Sequence, residues 1–296
     1  MQPWLPRGGG GAGIARSSAW KVQFYALNCM LGEGGNPPKS SYSMCYDIKA
    51  SLEAQLKRAE RRGDSEAADQ IRKQLLPQTD LPLYHASGFS HPRMFIYTDT
   101  SPRYPVVATW GLVPHWVRDR EQGHKLWNKT LNARGETIFE KPSFRRAAQN
   151  NRCLIYVDGF YEHHHHKGKT YPYYIYRRDG NPMVFAGLYS DWADPETGEV
   201  LTTFSIVTTE GNPMMARIHN NPKLAGPRMP LILPEALADQ WLAPLEDELD
   251  QKALQELIRS FPQDALTAHT VARLRGKDYA GNLPEISEKV VYPELA

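Results

Sequence analysis

"RCLIYVDGFYEHHHHKGKTYPYYI", residues 152–175, decides the fold. The run 152–164 and the run "TYPYYIYRR" (170–178) are rich in β-branched and aromatic residues, and "HKGKT" (166–170) supplies the turn chemistry between them. Together they read as a β-hairpin. Working outward, the same texture recurs in "MFIYT" (94–98), "YPVVATWGLVP" (104–114), "MVFAGLYSDW" (183–192), "LTTFSIVTT" (201–209) and "RMPLILP" (228–234), with "RDGNP" (178–182) as a second turn. Residues 47–76 instead carry a helical period, with Ile48, Leu52, Leu56 and Ala59 on one face, a break at Gly63-Asp64 and a stop at Pro77. Short helices are expected over 139–149, 235–242 and 246–260. The expected class is α+β: a mostly antiparallel curved sheet or barrel with peripheral helices, forming a single domain over residues 44–296.

Residues 1–43, with "GGGGAG" and "GEGGNPPKSSYS", are Gly/Pro/Ser-rich and read as a disordered leader, a propeptide or a start assigned too far upstream. The chain of 296 residues is 41% hydrophobic, enough for a substantial core, and its net charge of +2 does not identify a partner class. Locally, residues 125–152 hold Lys125, Lys129, Arg134, Lys141, Arg145, Arg146 and Arg152 against Glu136 and Glu140, whereas 235–250 hold six acids and no base. One face could therefore favour a polyanion. Three cysteines without paired spacing argue against a disulfide scaffold and fit a reducing compartment. No apolar run reaches the ~20 residues needed to cross a bilayer, and no signal peptide is evident. The tract His163–His166 does not read as a metal site, because successive strand side chains alternate faces and no partner ligands stand at metal spacing. No metal or other cofactor is expected.

Met44 directly precedes Cys45. A chain beginning at Cys45 would carry a thiol and a free α-amine on one residue, a 1,2-aminothiol. Four elements follow: "WGLVPHW" (110–116), "LNARGETI" (131–138), "GFYE" (159–162) and "IHN…RMPLIL" (218–233). In this order they resemble the SOS-response-associated peptidase (SRAP) family, whose members sense abasic sites in single-stranded DNA and link to them covalently. The resemblance spans residues 44–234. It implies a DNA-damage protein of the cytoplasm and nucleoid, monomeric, with lyase- or hydrolase-like chemistry and single-stranded abasic DNA as its partner. It implies Cys45 as nucleophile, Glu162 as acid/base, Asn132 as the amide that positions the terminal residue and the opened sugar, and His219 as the group polarising or protonating the deoxyribose oxygen. Arg134 would hold a phosphate, and Trp110 and Trp116 would stack beside the lesion; from the basic segment 125–152, Arg145 and Arg146 are expected to contact DNA. An abasic aldehyde condensing with the α-amine and then taking up the thiolate would close a thiazolidine.

Three departures from the family pattern are visible. Tyr46-Asp47 stands where the family usually has Gly-Arg, His163 replaces a Trp, and His219 lies far from Arg228 in sequence. Two other functions fit parts of the pattern: a cysteine peptidase or N-terminal-nucleophile hydrolase using Cys45 with His219 or Glu162, and a non-covalent single-strand binder. Cys153, in an apolar run, reads as a buried, inert thiol.

Overall fold

A computed structural model describes residues 46–61 and 65–295. The leader and Cys45 lie outside the described residues. Five strands close on themselves: β3 (Arg93–Thr98), β4 (Val106–Trp110), β10 (Val200–Glu210), β9 (Met183–Ala193) and β6 (Arg152–Val157), in the ring order β3-β4-β10-β9-β6. Only the β4–β10 contact in this ring is parallel. β5 (Asn132–Arg134) joins β10 in parallel, and β11 (Arg228–Pro230) joins it antiparallel. β12 (Ile232–Leu233) runs along β9. A second, wholly antiparallel sheet has the order β13-β8-β7-β1-β2, from β1 (Asp47–Ala50), β2 (Leu83–Ser87), β7 (Gly159–His166), β8 (Lys169–Arg177) and β13 (Leu266–Thr270). The expected α+β barrel class stands, and β7–β8 is the hairpin of the opening stretch.

β6 and β9 explain why their runs do not alternate. Cys153, Ile155 and Phe185 face one cluster with Trp110, Phe204, Phe160 and Ile48, while Leu154, Tyr156, Val184 and Ala186 face a second under the helices α6 (Ala238–Leu242) and α7 (Glu248–Glu256). A strand buried on both faces reads as a continuous apolar run. Gly187 lies beside β6 side chains: a Cβ there would meet Ile155 Cδ1 at 2.4 Å and Cys153 Sγ at 2.8 Å. Cys153 is fully buried, and burial pushes its thiol well above the usual range.

The structure corrects the reading at several points. Residues 47–50 are strand, not helix. Helix α1 (Leu52–Arg61) starts only after Ser51, whose Oγ accepts the N–H of Ala54 at 3.1 Å and donates to Asp158 at 2.9 Å. Pairing of β1 on both edges, to β2 and β7, outweighs the helical phase of Ile48. β2, β5 and β13 are strands without a marked sequence signal, and the expected helix over 139–149 shrinks to α4 (Arg145–Asn150). Arg152 is 1% exposed and so drops out of the basic face. Its guanidinium donates to the carbonyls of Ala148 (2.6 Å), Gln149 (2.8 Å), Trp241 (2.8 Å) and Ala243, tying β6 to α4 and α6. Arg152→Met keeps most of the volume and removes the donors from two buried and two part-buried carbonyls. It should lower unfolding free energy by about 3 kcal/mol in a denaturant titration.

Candidate functional site

The end of β7 and a short helix build the centre of the site. β1 pairs with β7 only over Asp47–Tyr161, Ile48–Phe160 and Lys49–Gly159, so β7 runs on past the start of β1 from Glu162. Against this extension packs α5 (Pro213–Ile218). Asn212 caps it, accepting from Met215 N–H at 2.9 Å and donating to the Phe261 carbonyl at 2.8 Å. Met215 and Ile218 are buried and seat the helix. The next residues bind the strand: Asn220 accepts from the His165 N–H at 2.7 Å and donates to the His165 carbonyl at 3.0 Å.

His219 ends α5, its N–H donating to Met215 at 2.7 Å. Its ring is held 3.4 Å from Glu162 Oε2, and both side chains are almost wholly buried. The same Nδ1 also lies 3.1 Å from the Arg228 carbonyl and 3.3 Å from the Arg228 N–H. A protonated Nδ1 can therefore donate to the carbonyl or the carboxylate, and a bare one can accept from the amide. Either state has a partner, which is what a proton-transferring imidazole requires. Glu162 Oε1 accepts from the His163 N–H at 2.9 Å, fixing the carboxylate.

A second pair locks the remaining motifs. Arg228 grips Glu136 with two 2.8 Å hydrogen bonds and donates to the Thr208 carbonyl at 2.9 Å. Burial pushes the Glu136 carboxyl up, but Arg228 outweighs it and holds the pKa below the ordinary range. β5 and β11 flank β10 at Thr208, which pairs with Arg134 on one edge and Pro230 on the other. Asn132 is buried and Arg134 exposed. Glu136 and Arg228 stand inside the sequence motifs, yet sequence reasoning gave them no role. Two opposite charges within the family-like motifs were the available signal, but nothing in the sequence says that they meet.

The two tryptophans separate. Trp110 is 0% exposed, donates to the Leu131 carbonyl at 2.8 Å and stacks on Phe204, so its expected place beside DNA is corrected: it is a core residue. Gly111, at φ +116°, turns the chain there, and a Cβ would strike the Trp127 ring at 2.2 Å. Trp116 lies 37% exposed with its Nε1 3.3 Å from the Pro142 carbonyl. Arg145 and Arg146 are exposed on α4, and Arg146 borders a cavity of about 220 Å³ with His115, Ser143 and Asp191. The histidine tract divides as strand geometry requires: His164 and His166 stack on each other, and His163 and His165 line a different cavity. Among the described residues no group of His, Cys, Asp or Glu could hold a metal ion, and no helix is long and apolar enough to cross a membrane.

The family model for SOS response associated peptidase (SRAP) matches residues 43–277. Abasic site processing protein YoqW of Bacillus subtilis (strain 168) is 36% identical over 219 residues, covering 73% of this chain and 90% of that protein. Abasic site processing protein HMCES of Xenopus tropicalis is 28% identical over 212 residues, covering 65% of this chain and 59% of its own. A crystal structure of a protein from Bacteroides thetaiotaomicron superposes with a TM-score of 0.70 at 32% identity, covering 83% of this chain and all of that one.

Replacing each tryptophan by alanine separates their roles. Trp110→Ala should cost about 3–5 kcal/mol of stability in a denaturant titration, and Trp116→Ala about 0.5 kcal/mol.

Proposed function

The chain belongs to the SRAP family, and from that premise we propose that it captures abasic sites in single-stranded DNA by a covalent link through Cys45. The names of the relatives, abasic site processing proteins, support the substrate. One observation carries the chemistry: a buried Glu162–His219 pair stands at the end of β7 where β1 begins. Asp47, the first residue of β1, is paired with Tyr161, the neighbour of Glu162. Cys45 stands two residues before Asp47 in the sequence, and this closeness in sequence supports it as the nucleophile that the pair serves.

In this reading residues 1–44 are absent from the working protein, removed by an internal start at Met44 with trimming of the methionine or by cleavage of the Met44–Cys45 bond. While they remain, Cys45 nitrogen is an amide and a poor nucleophile. Glu162 and His219 open the deoxyribose: one takes the proton of the anomeric hydroxyl and the other protonates the ring oxygen, freeing the aldehyde. The α-amine adds to the aldehyde carbon, water leaves, and an imine forms. The thiol then adds across the C=N bond, sulfur to carbon and proton to nitrogen, and the thiazolidine closes. Asn132, buried on β5, orients the terminal residue and the opened sugar. Exposed Arg134, Arg145 and Arg146 contact phosphates, and half-exposed Trp116 stacks on a neighbouring base.

Mixing protein that begins at Cys45 with an abasic oligonucleotide should give a band that survives denaturing electrophoresis. Cys45→Ala should abolish the band, and Glu162→Gln should slow its appearance by about 10²-fold or more. Normal crosslinking by Cys45→Ala would refute the nucleophile, and turnover of peptides in trans without DNA capture would favour a hydrolase. Intact mass of protein from the natural gene checks the terminus, with Cys45 expected as the first residue.

A further inference from the structure

The face of β7 opposite Glu162 carries Tyr161 and His163. On it lies Asp47, 2% exposed, with Arg275 Nη2 at 2.8 Å and His85 Nε2 at 3.4 Å. Burial pushes the Asp47 carboxyl up, but His85 and Arg275 outweigh it and hold the pKa below the ordinary range, so this is a buried carboxylate that stays charged. His85 Nδ1 is 2.8 Å from the Tyr279 hydroxyl, which fixes the imidazole. The chain after β13 passes alongside, Val271 N–H donating to the Pro172 carbonyl at 2.9 Å. It brings Arg273 over the rings of Tyr171 and Tyr292, 5.3 and 5.4 Å from their centroids, with Nη1 donating to the Thr170 carbonyl. Between these groups opens a cavity of about 270 Å³, lined by His163, His165, Thr170, Arg273, Leu274 and Arg275.

We propose that this cavity is a phosphodiester site for the DNA strand, built by Arg273 and Arg275 and lying across β7 from the Glu162–His219 pair. The proposal rests on the DNA reading given above. Each guanidinium is pre-oriented yet keeps donors to spare. Arg275 commits Nη2 to Asp47 while its side chain is 57% exposed, and Arg273 commits Nη1 and is braced by two tyrosines. A guanidinium carries five N–H donors in a planar fork that matches two phosphate oxygens. Asp47 therefore acts as a positioning residue: it cannot meet a phosphate itself, and it aims a cation that could. The cavity is open at the surface, as a continuous backbone needs.

The test uses an intact, lesion-free single-stranded oligonucleotide, so that binding is read without any covalent step. Arg273→Gln and Arg275→Gln should each weaken binding several-fold near 100 mM salt, and each should reduce the slope of log K against log salt by about 0.7. Arg275→Lys should keep the slope and lose part of the affinity. Thermal melting of each variant shows whether the fold survives, and Arg273→Gln leaves the Asp47 ion pair intact if Arg275→Gln does not fold. Unchanged affinity and slope in folded Arg273→Gln would overturn the site. So would inorganic phosphate that perturbs tyrosine fluorescence through these arginines while DNA affinity ignores them, which would assign the cavity to a free anion. Wild-type protein that binds through Arg273 and Arg275 but never crosslinks an abasic oligonucleotide would refute the covalent reading and leave this site standing.

Discussion

A β-strand has two edges, and β10 uses both along its eleven residues. Over 200–206 one edge carries β9, and near 208–210 the same edge passes to β11; the other carries β4 and then β5. This strand closes the barrel, and near its end it is paired on both edges, to β5 and to β11. Much of the candidate site hangs from this closure. β5 brings Asn132 and Arg134, β11 brings Arg228, and the connection between β10 and β11 contains α5 and His219.

Backbone pairing alone would leave these segments as neighbours without a fixed relation of side chains. Two polar contacts supply it. Glu136 and Arg228 meet in a bidentate pair across the edge of β10, and Glu162 and His219 meet between the barrel and the second sheet. The first is half-exposed on its carboxylate side, so its value is geometric more than energetic. The second is buried and would be costly as an isolated charge, but His219 Nδ1 also has the Arg228 amide and carbonyl in reach. That surplus of partners gives the His219 nitrogen a hydrogen-bond partner whether or not it carries a proton, as the proposed acid/base role requires.

The end of β7 has two chemically different faces because adjacent residues of a strand point oppositely. Glu162 turns to the imidazole of His219. Tyr161 and His163 turn to a cluster of Asp47, His85, Tyr279 and Arg275. An acid at position 47 would repel a phosphate, but the arginine it holds reverses the sign of what the surface presents. A charge that a neighbouring sequence position does not provide is thus brought in from a segment some 230 residues away.

The sequence by itself determined the β-rich class, the β7–β8 hairpin, and the identity of Glu162 and His219 as candidates, because alternation, turn residues and short motifs are local signals. It misled at 47–50, where a helical phase lost to pairing on two edges, and at Trp110, whose ring the barrel buries. Arg152 shows the same limit: a basic residue counts toward surface charge until buried carbonyls claim it. Which strands meet, that β10 closes a ring, that Glu136 finds Arg228 and that Arg275 finds Asp47 were decided only by the tertiary structure. The Glu136–Arg228 and Asp47–Arg275 contacts join positions 92 and 228 residues apart, and the burial of both faces of β6 and β9 at once is likewise a property that no local window of sequence contains.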